Sequence, residues 1–201
     1  MPKSEKSKYT KAKILQVAKE VFAQRGFQKT TVKDITKAAD LGYGTFYLYF
    51  KDKKEVFNAL VEQVEDELYT AADGGSDIQK DYPKGRSSYR ALRKDLRAIC
   101  VSFYDNRSIL KFSRELSLID KDFKKKYFEM KSRLVQRTKQ ILEKSGVGNM
   151  NLDIAAVAIA GMIESAAIEW TNPDANSLIN SELEVDELLP TITKIYFKIV
   201  S

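Results

Sequence analysis

The chain has 201 residues, of which 43% are hydrophobic and 31% are charged, and its formal net charge at pH 7 is +6. This balance is typical of a globular protein with a sizeable core and excludes a disordered or collagen-like chain. Because there is no histidine and only one cysteine, Cys100, imidazole-dependent catalysis, an intrachain disulfide and a thiolate zinc site are excluded. We therefore predict a protein that is not an enzyme and that needs no metal and no cofactor.

The basic charge is concentrated at the N-terminus. Residues 1–54 contain 13 Lys/Arg against five Asp/Glu, whereas residues 151–201 contain two against eight. A segregated basic block indicates either a nucleic acid or anionic membrane surface as its partner, or merely a soluble lysine-rich surface, and charge alone does not decide between them. The longest apolar run, Ile154 to Ile163, has 10 residues and is too short to span a bilayer, and no apolar segment follows the N-terminal lysines. We expect a cytoplasmic protein.

Hydrophobic residues recur with helical spacing along the whole chain, and no segment alternates as a strand would. This pattern predicts about nine helices, over residues 10–25, from Thr31 onward, 43–49, 53–70, 88 to a break at 106, 109–118, 120–144, 151–170 and 185–200. Thr31 with Asp34, and Asp52 with Glu55, have the spacing of capping boxes. Gly26 is placed to end the first helix, and Asp120 to cap a later one.

The most informative stretch, residues 30–57, reads TTVKDITKAADLGYGTFYLYFKDKKEVF. A two-turn helix, a tight turn over residues 40–42 and a short second helix form a helix-turn-helix, whose second helix can enter a major groove. Ala38, Ala39 and Leu41 are small or apolar and allow the two helices to cross closely. Gly44 permits either close helix packing or close approach to a phosphate.

The pattern Thr-Val-x-Asp-Ile, Ala-Ala-x-Leu, Gly-Thr-Phe-Tyr-x-Tyr-Phe, Lys-x-Lys-Glu resembles the tetracycline-repressor (TetR) family. Ile14-Leu15, Ala18, Phe22 and Gly26-Phe27 are similar to the first helix of that family. The resemblance covers about residues 10–57. It implies an all-α protein, with a three-helix helix-turn-helix DNA-binding domain over residues 1–52. A helical ligand-binding and dimerisation domain would follow over residues 53–201.

The resemblance also implies roles for single residues in DNA binding. Thr31 would cap its helix and face a phosphate, Thr45 would face a base or a phosphate, and the hydroxyls of Tyr47 and Tyr49 would reach the DNA backbone. Lys53 would meet a phosphate at the start of the fourth helix. The alternative interpretation is that Tyr47 and Tyr49 are ordinary surface residues of an amphipathic helix, but the surrounding motif favours contact with DNA.

Two positions depart from the family pattern, which usually has serine or threonine followed by lysine or arginine. Gly42 can cap the recognition helix but has no side-chain acceptor. Tyr43 could contact a thymine methyl group or donate its hydroxyl to a base edge.

Large side chains in the middle helices could enclose an apolar cavity or simply form a core. The resemblance implies a ligand pocket there, and the residues that we predict to line it are Cys100, Phe103, Tyr104, Phe112, Phe123, Tyr127 and Trp170. Arg97, Arg114 and Arg133 would suit an anionic ligand, whereas Glu164 and Glu169 would suit a cation. The sequence leaves that choice open.

The last two helices carry small and apolar residues that favour close helix approach. We predict that they form a dimer interface through Ala158, Gly161, Met162, Ser165, Leu189, Ile192 and Tyr196. Two copies would build a four-helix bundle across a two-fold axis, and that symmetry predicts a palindromic operator.

Together these features predict a homodimeric transcriptional regulator, a repressor that a small, mostly apolar effector releases from DNA. An activator is not distinguished from a repressor by the sequence. The alternative is a helical interaction module of the same fold that no longer binds DNA.

Overall fold

A computed structural model describes residues 3–73, 101–144 and 150–169. These ranges contain seven helices, helical backbone at residues 101–105, and no strand. The helices are α1 (Lys3–Arg25), α2 (Val32–Ala38), α3 (Tyr43–Tyr47), α4 (Lys53–Asp73), α5 (Arg107–Ser117), α6 (Lys121–Lys144) and α7 (Leu152–Glu169). The all-α class is confirmed. The helix predicted over residues 185–200, and most of that predicted from residue 88, lie outside the described residues.

The chain divides into two units, Met1–Val64 and Glu65–Ser201. The division falls within α4, whereas the sequence predicts a domain boundary after residue 52, at the start of that helix. That domain boundary stays a prediction. In the described ranges, no helix has the length and apolar character needed to cross a bilayer.

In the N-terminal unit, α1 begins at Lys3 and not at Thr10 as predicted. The hydroxyl of Thr10 donates to the carbonyl of Lys6 at 2.9 Å, which is a bond of the helix interior and not an N-terminal cap. The helix ends at Gly26 as predicted, with a left-handed φ of 77° that favours glycine.

Aromatic side chains fill the centre of this unit. The rings of Phe22, Phe27 and Phe57 lie 5.0 to 5.7 Å apart, mostly edge to face. Phe46, on the inner face of α3, and Phe50, just after that helix, are also buried. This core holds the helix-turn-helix in place from beneath.

The loops before α2 and α4 set the start of each helix. The predicted capping box of α2 is present, with the Thr31 hydroxyl and the Asp34 carboxylate bonded reciprocally to backbone amides. At α4, Asp52 accepts from the amide of Glu55 at 2.8 Å, but the Glu55 carboxylate accepts from the amide of Lys51 at 2.7 Å. Of the two bonds of the second predicted capping box, the one accepted by Asp52 is therefore present. The Glu55 carboxylate accepts from the amide of Lys51, one residue before the predicted Asp52.

In the C-terminal unit, α6 packs against α5 and α7. Asp120 caps α6 as predicted, and Asn151 caps α7 through the amides of Asp153 and Ile154. Asn106 breaks the preceding helix as predicted, and its buried amide donates to the Glu67 carboxylate of α4 at 2.8 Å.

Candidate nucleic-acid interface and ligand cavity

The outer face of α3 presents two tyrosines. Tyr43 and Tyr47 are 55% and 47% exposed, whereas Phe46 on the opposite face is fully buried. The Tyr47 hydroxyl donates to the Tyr43 hydroxyl at 2.9 Å, and the two rings meet edge to face with their centres 5.2 Å apart. This bond raises the pKa of Tyr47, so that phenol is protonated at neutral pH. The result is a rigid, uncharged face with hydrogen-bonding groups at its rim.

The two glycines of the recognition helix differ in their surroundings. Gly42 is the N-cap and makes no side-chain cap bond, as predicted from its lack of an acceptor. A Cβ atom added at Gly44 would have no neighbour within 4 Å. Close packing within the protein therefore does not require glycine at position 44, and close approach to a phosphate stays a prediction.

The hydrogen-bond donors of Thr31 are both engaged within the protein. Its amide and hydroxyl donate to the Asp34 carboxylate at 2.9 and 2.6 Å, and Arg25 pairs with the same carboxylate at 2.8 Å. The Thr31 hydrogen bonds, with a smaller contribution from Arg25, lower the pKa of Asp34. A phosphate at Thr31 would have to compete with this carboxylate, and the predicted contact stays a prediction.

Lys53 has a structural role that sequence reasoning missed. Its ammonium donates to the carbonyls of Phe27, Gln28 and Thr30 at 2.9, 3.0 and 2.8 Å. It also lies 4.7 Å from the centre of the Phe27 ring, and burial lowers its pKa. Lys53 therefore holds the loop between α1 and α2 to the start of α4. Its phosphate contact stays a prediction.

The remaining DNA-binding candidates lie around α3. Thr45 and Tyr49 are half-buried, and the exposed lysines between the end of α1 and the start of α4 are Lys29, Lys33, Lys37 and Lys51. An uncharged tyrosine face in a unit that also exposes ammonium groups can combine base contacts with phosphate attraction.

A sequence profile described as "Bacterial regulatory proteins, tetR family" matches residues 14–60, the range that contains this helix-turn-helix. The N-terminal domain of this chain belongs to the tetR family. Of its curated relatives, the uncharacterized HTH-type transcriptional regulator YfiR of Bacillus subtilis is 29% identical over 134 residues, which are 66% of this chain and 63% of that protein. YvdT of the same organism, also named an HTH-type transcriptional regulator, is 44% identical over 64 residues, or 32% of each chain.

The chain thus spans less than two thirds of the length of these two relatives. A solved TetR-like transcriptional regulator from Rhodococcus sp. RHA1 matches with a TM-score of 0.71 over 94% of both chains at 22% identity, which shows a shared fold. These proteins are named regulators, in agreement with the exclusion of an enzyme.

The C-terminal unit contains a small cavity of about 20 Å³, which has room for one or two water molecules. Its lining residues are Leu68, Phe103, Leu110, Tyr127, Met130, Lys131, Leu134 and Glu164. Of the predicted pocket residues, Phe103 and Tyr127 line this cavity. Tyr104, Phe112 and Phe123 are not among its lining residues, and Cys100 and Trp170 lie outside the described residues.

A polar cluster interrupts the apolar wall of this cavity. The Glu164 carboxylate accepts from the Tyr127 hydroxyl and, at 2.9 Å, from the Lys131 ammonium. Burial, and then the bond to Glu164, raise the pKa of Tyr127, which is therefore a phenol at neutral pH. Arg133, one of the arginines considered for an anionic ligand, instead pairs with Glu65 at 3.2 Å.

The outer face of α7 is apolar and accessible. Ile154, Val157, Ala158 and Ser165 are exposed, and a Cβ atom added at Gly161 would have no neighbour within 4 Å. Met162 is half-buried, whereas Ile159 and Ile163 on the other face belong to the core. Leu189, Ile192 and Tyr196 lie outside the described residues. The dimer interface stays a prediction.

Proposed function

We propose that this protein is a cytoplasmic transcriptional repressor that binds a palindromic operator as a homodimer and leaves it when a small effector binds. The observation that carries the proposal is the exposed Tyr43–Tyr47 pair on α3, within a helix-turn-helix of the tetR family. The helix that carries these two hydrogen-bonded phenols has no charged residue, so its exposed face contributes little to solubility. The phenols are better suited to hydrogen bonds with a base edge or a phosphate.

The charges around α3 support the same partner. The helix-turn-helix exposes several lysines, and phosphate attraction supplies much of the affinity for duplex DNA. The open space beside Gly44 lets the backbone of α3 approach a groove without a side chain in between. The acidic balance of residues 151–201 would keep that end of the chain away from DNA.

The accessible apolar face of α7 supports the homodimer. A stripe of exposed apolar and small side chains along a helix of 18 residues is typical of a surface that packs against another helix. Pairing of two copies about a two-fold axis would place two α3 helices on two half-sites, which gives the palindrome.

Release from DNA by an effector is supported by the positions of two residues on α4. This helix carries Lys53 in its first turn, bound to the loop before α2, and Leu68 at the cavity. An effector that enlarges the cavity must move Leu68, and we propose that α4 transmits this shift to the loop. The effector can shift the equilibrium only by binding the released state more tightly than the DNA-bound state.

The proposal is tested by replacing Tyr47 with phenylalanine and measuring the affinity for a duplex selected from random DNA. Loss of a hydroxyl bond to a phosphate or base should weaken binding roughly 5- to 30-fold, with the unfolding free energy nearly unchanged. Tyr9→Phe is the matched control, since Tyr9 is an exposed tyrosine on α1. Equal affinities for wild type and Tyr47→Phe would refute the role of this hydroxyl in recognition. Failure of the wild type to select any duplex would favour the alternative, an interaction module that does not bind DNA.

A further inference from the structure

The cavity of the C-terminal unit contains an ion pair whose two members are not equally exposed. The Glu164 side chain is 14% exposed and is held by Tyr127 as well as by Lys131, whereas the Lys131 side chain is 37% exposed. A lysine ammonium on a flexible four-carbon chain can move into water at a small cost in free energy. A carboxylate that is nearly buried and accepts two hydrogen bonds cannot. Of the two charges, the negative one is therefore the fixed one.

Lys131 shows where a positive charge is bound in this cavity. Its ammonium lies 2.9 Å from the Glu164 carboxylate and 5.9 Å from the centre of the Tyr127 ring. Carboxylate and aromatic ring together form the environment that organic cations prefer. Phe103 provides a second aromatic side chain, and Leu68, Leu110 and Leu134 provide an apolar wall.

From these contacts we infer that the effector is an apolar organic cation, an amine or ammonium that replaces Lys131 as the partner of Glu164. The inference rests on the proposed function and names the effector class. The incoming cation would displace the Lys131 side chain to solvent, and its apolar part would enlarge the cavity by moving Leu68 together with the adaptable Met130 side chain.

An anionic effector fits the same contacts less well. An anion would need the Lys131 ammonium as its partner. Binding would therefore separate that ammonium from the Glu164 carboxylate, which would stay behind in the apolar wall. A buried carboxylate left without its cationic partner is strongly destabilising. A cationic effector avoids this cost because Glu164 keeps a positive partner throughout.

The test uses three probes of equal chain length, octylamine, octanoate and octanol, with the full-length protein and without DNA. Calorimetric titration should show that wild type binds octylamine at least roughly 10-fold more tightly than octanol, and binds octanoate most weakly. Glu164→Gln should abolish the preference for amine over alcohol. Lys131→Met should bind octylamine several-fold more tightly than wild type, since the competing ammonium is gone.

Glu129→Gln, a change of an exposed carboxylate on α6, is the matched control and should behave as wild type. The inference is overturned if octanoate binds best, if wild type does not prefer octylamine to octanol, or if Glu164→Gln keeps that preference. Circular dichroism and operator affinity without probe establish that each variant is folded. A chain that binds octylamine through Glu164 but no operator would overturn the proposed function and leave the cation site standing.

Discussion

Replacing Lys53 with methionine tests whether its ammonium holds the protein together or contacts DNA. Methionine keeps an unbranched apolar side chain against Phe27 but removes the donor from three carbonyls at 2.8 to 3.0 Å. A hydrogen bond to a charged group contributes about 1.5–3 kcal/mol, and water can replace part of it at this half-buried site. We therefore expect a loss of about 2 kcal/mol in unfolding free energy, which for a chain of this size lowers Tm by about 4–8 °C.

The assay has two parts, thermal unfolding and operator affinity over a range of salt concentrations. If the ammonium stays with the carbonyls, Lys53→Met weakens DNA binding without changing the dependence of affinity on salt. A direct phosphate contact predicts that the slope of log affinity against log salt falls by about one.

Lys51→Met is the control for Lys53→Met, because Lys51 is an exposed lysine two residues away. It should change the unfolding free energy by less than about 0.5 kcal/mol. The structural role of Lys53 is refuted if Lys53→Met leaves Tm unchanged and flattens the salt dependence. A lower Tm together with a flatter salt dependence would instead mean that the ammonium exchanges its carbonyls for a phosphate when DNA binds.

Three further variants test other parts of the account. Gly44→Ala should raise the unfolding free energy by up to about 1 kcal/mol but weaken operator binding; unchanged affinity would argue against close approach of α3 to DNA. Thr31 lowers the pKa of Asp34 from its ordinary 3.8, so the folded state gains stability above that pH and loses it as pH falls. Asp34→Asn should therefore lose less stability than wild type between pH 6 and pH 3 in urea unfolding, and equal losses would contradict this. Gly161→Leu should leave the fold intact and shift sedimentation from dimer to monomer, whereas a persistent dimer would place the interface elsewhere.

The features that the sequence predicted correctly depend on local contacts. The Thr31 cap, the left-handed Gly26 and the Asp120 cap each join groups no more than four residues apart, so the spacing of residue types is sufficient to find them. The start of α1 was missed because Thr10 has the residue type of a cap, and only the hydrogen bond to Lys6 shows that it lies inside the helix.

The features that the sequence did not predict depend on contacts between distant residues. The carbonyls bound by Lys53 lie 23 to 26 residues before it, and they have no side-chain signature. Glu164 was one of several charged candidates for a ligand, but its partners Tyr127 and Lys131 lie 37 and 33 residues away on another helix. Packing of α6 against α7 brings them together, and helical periodicity alone does not determine that register.

The most direct test of the central claim is selection of bound sequences from random duplex DNA by the full-length protein, read out at two salt concentrations. The account predicts recovery of a palindrome, with binding that weakens as salt rises. Recovery of no enriched sequence, with only weak salt-sensitive binding at both concentrations, would contradict the claim that this chain reads an operator as a dimer.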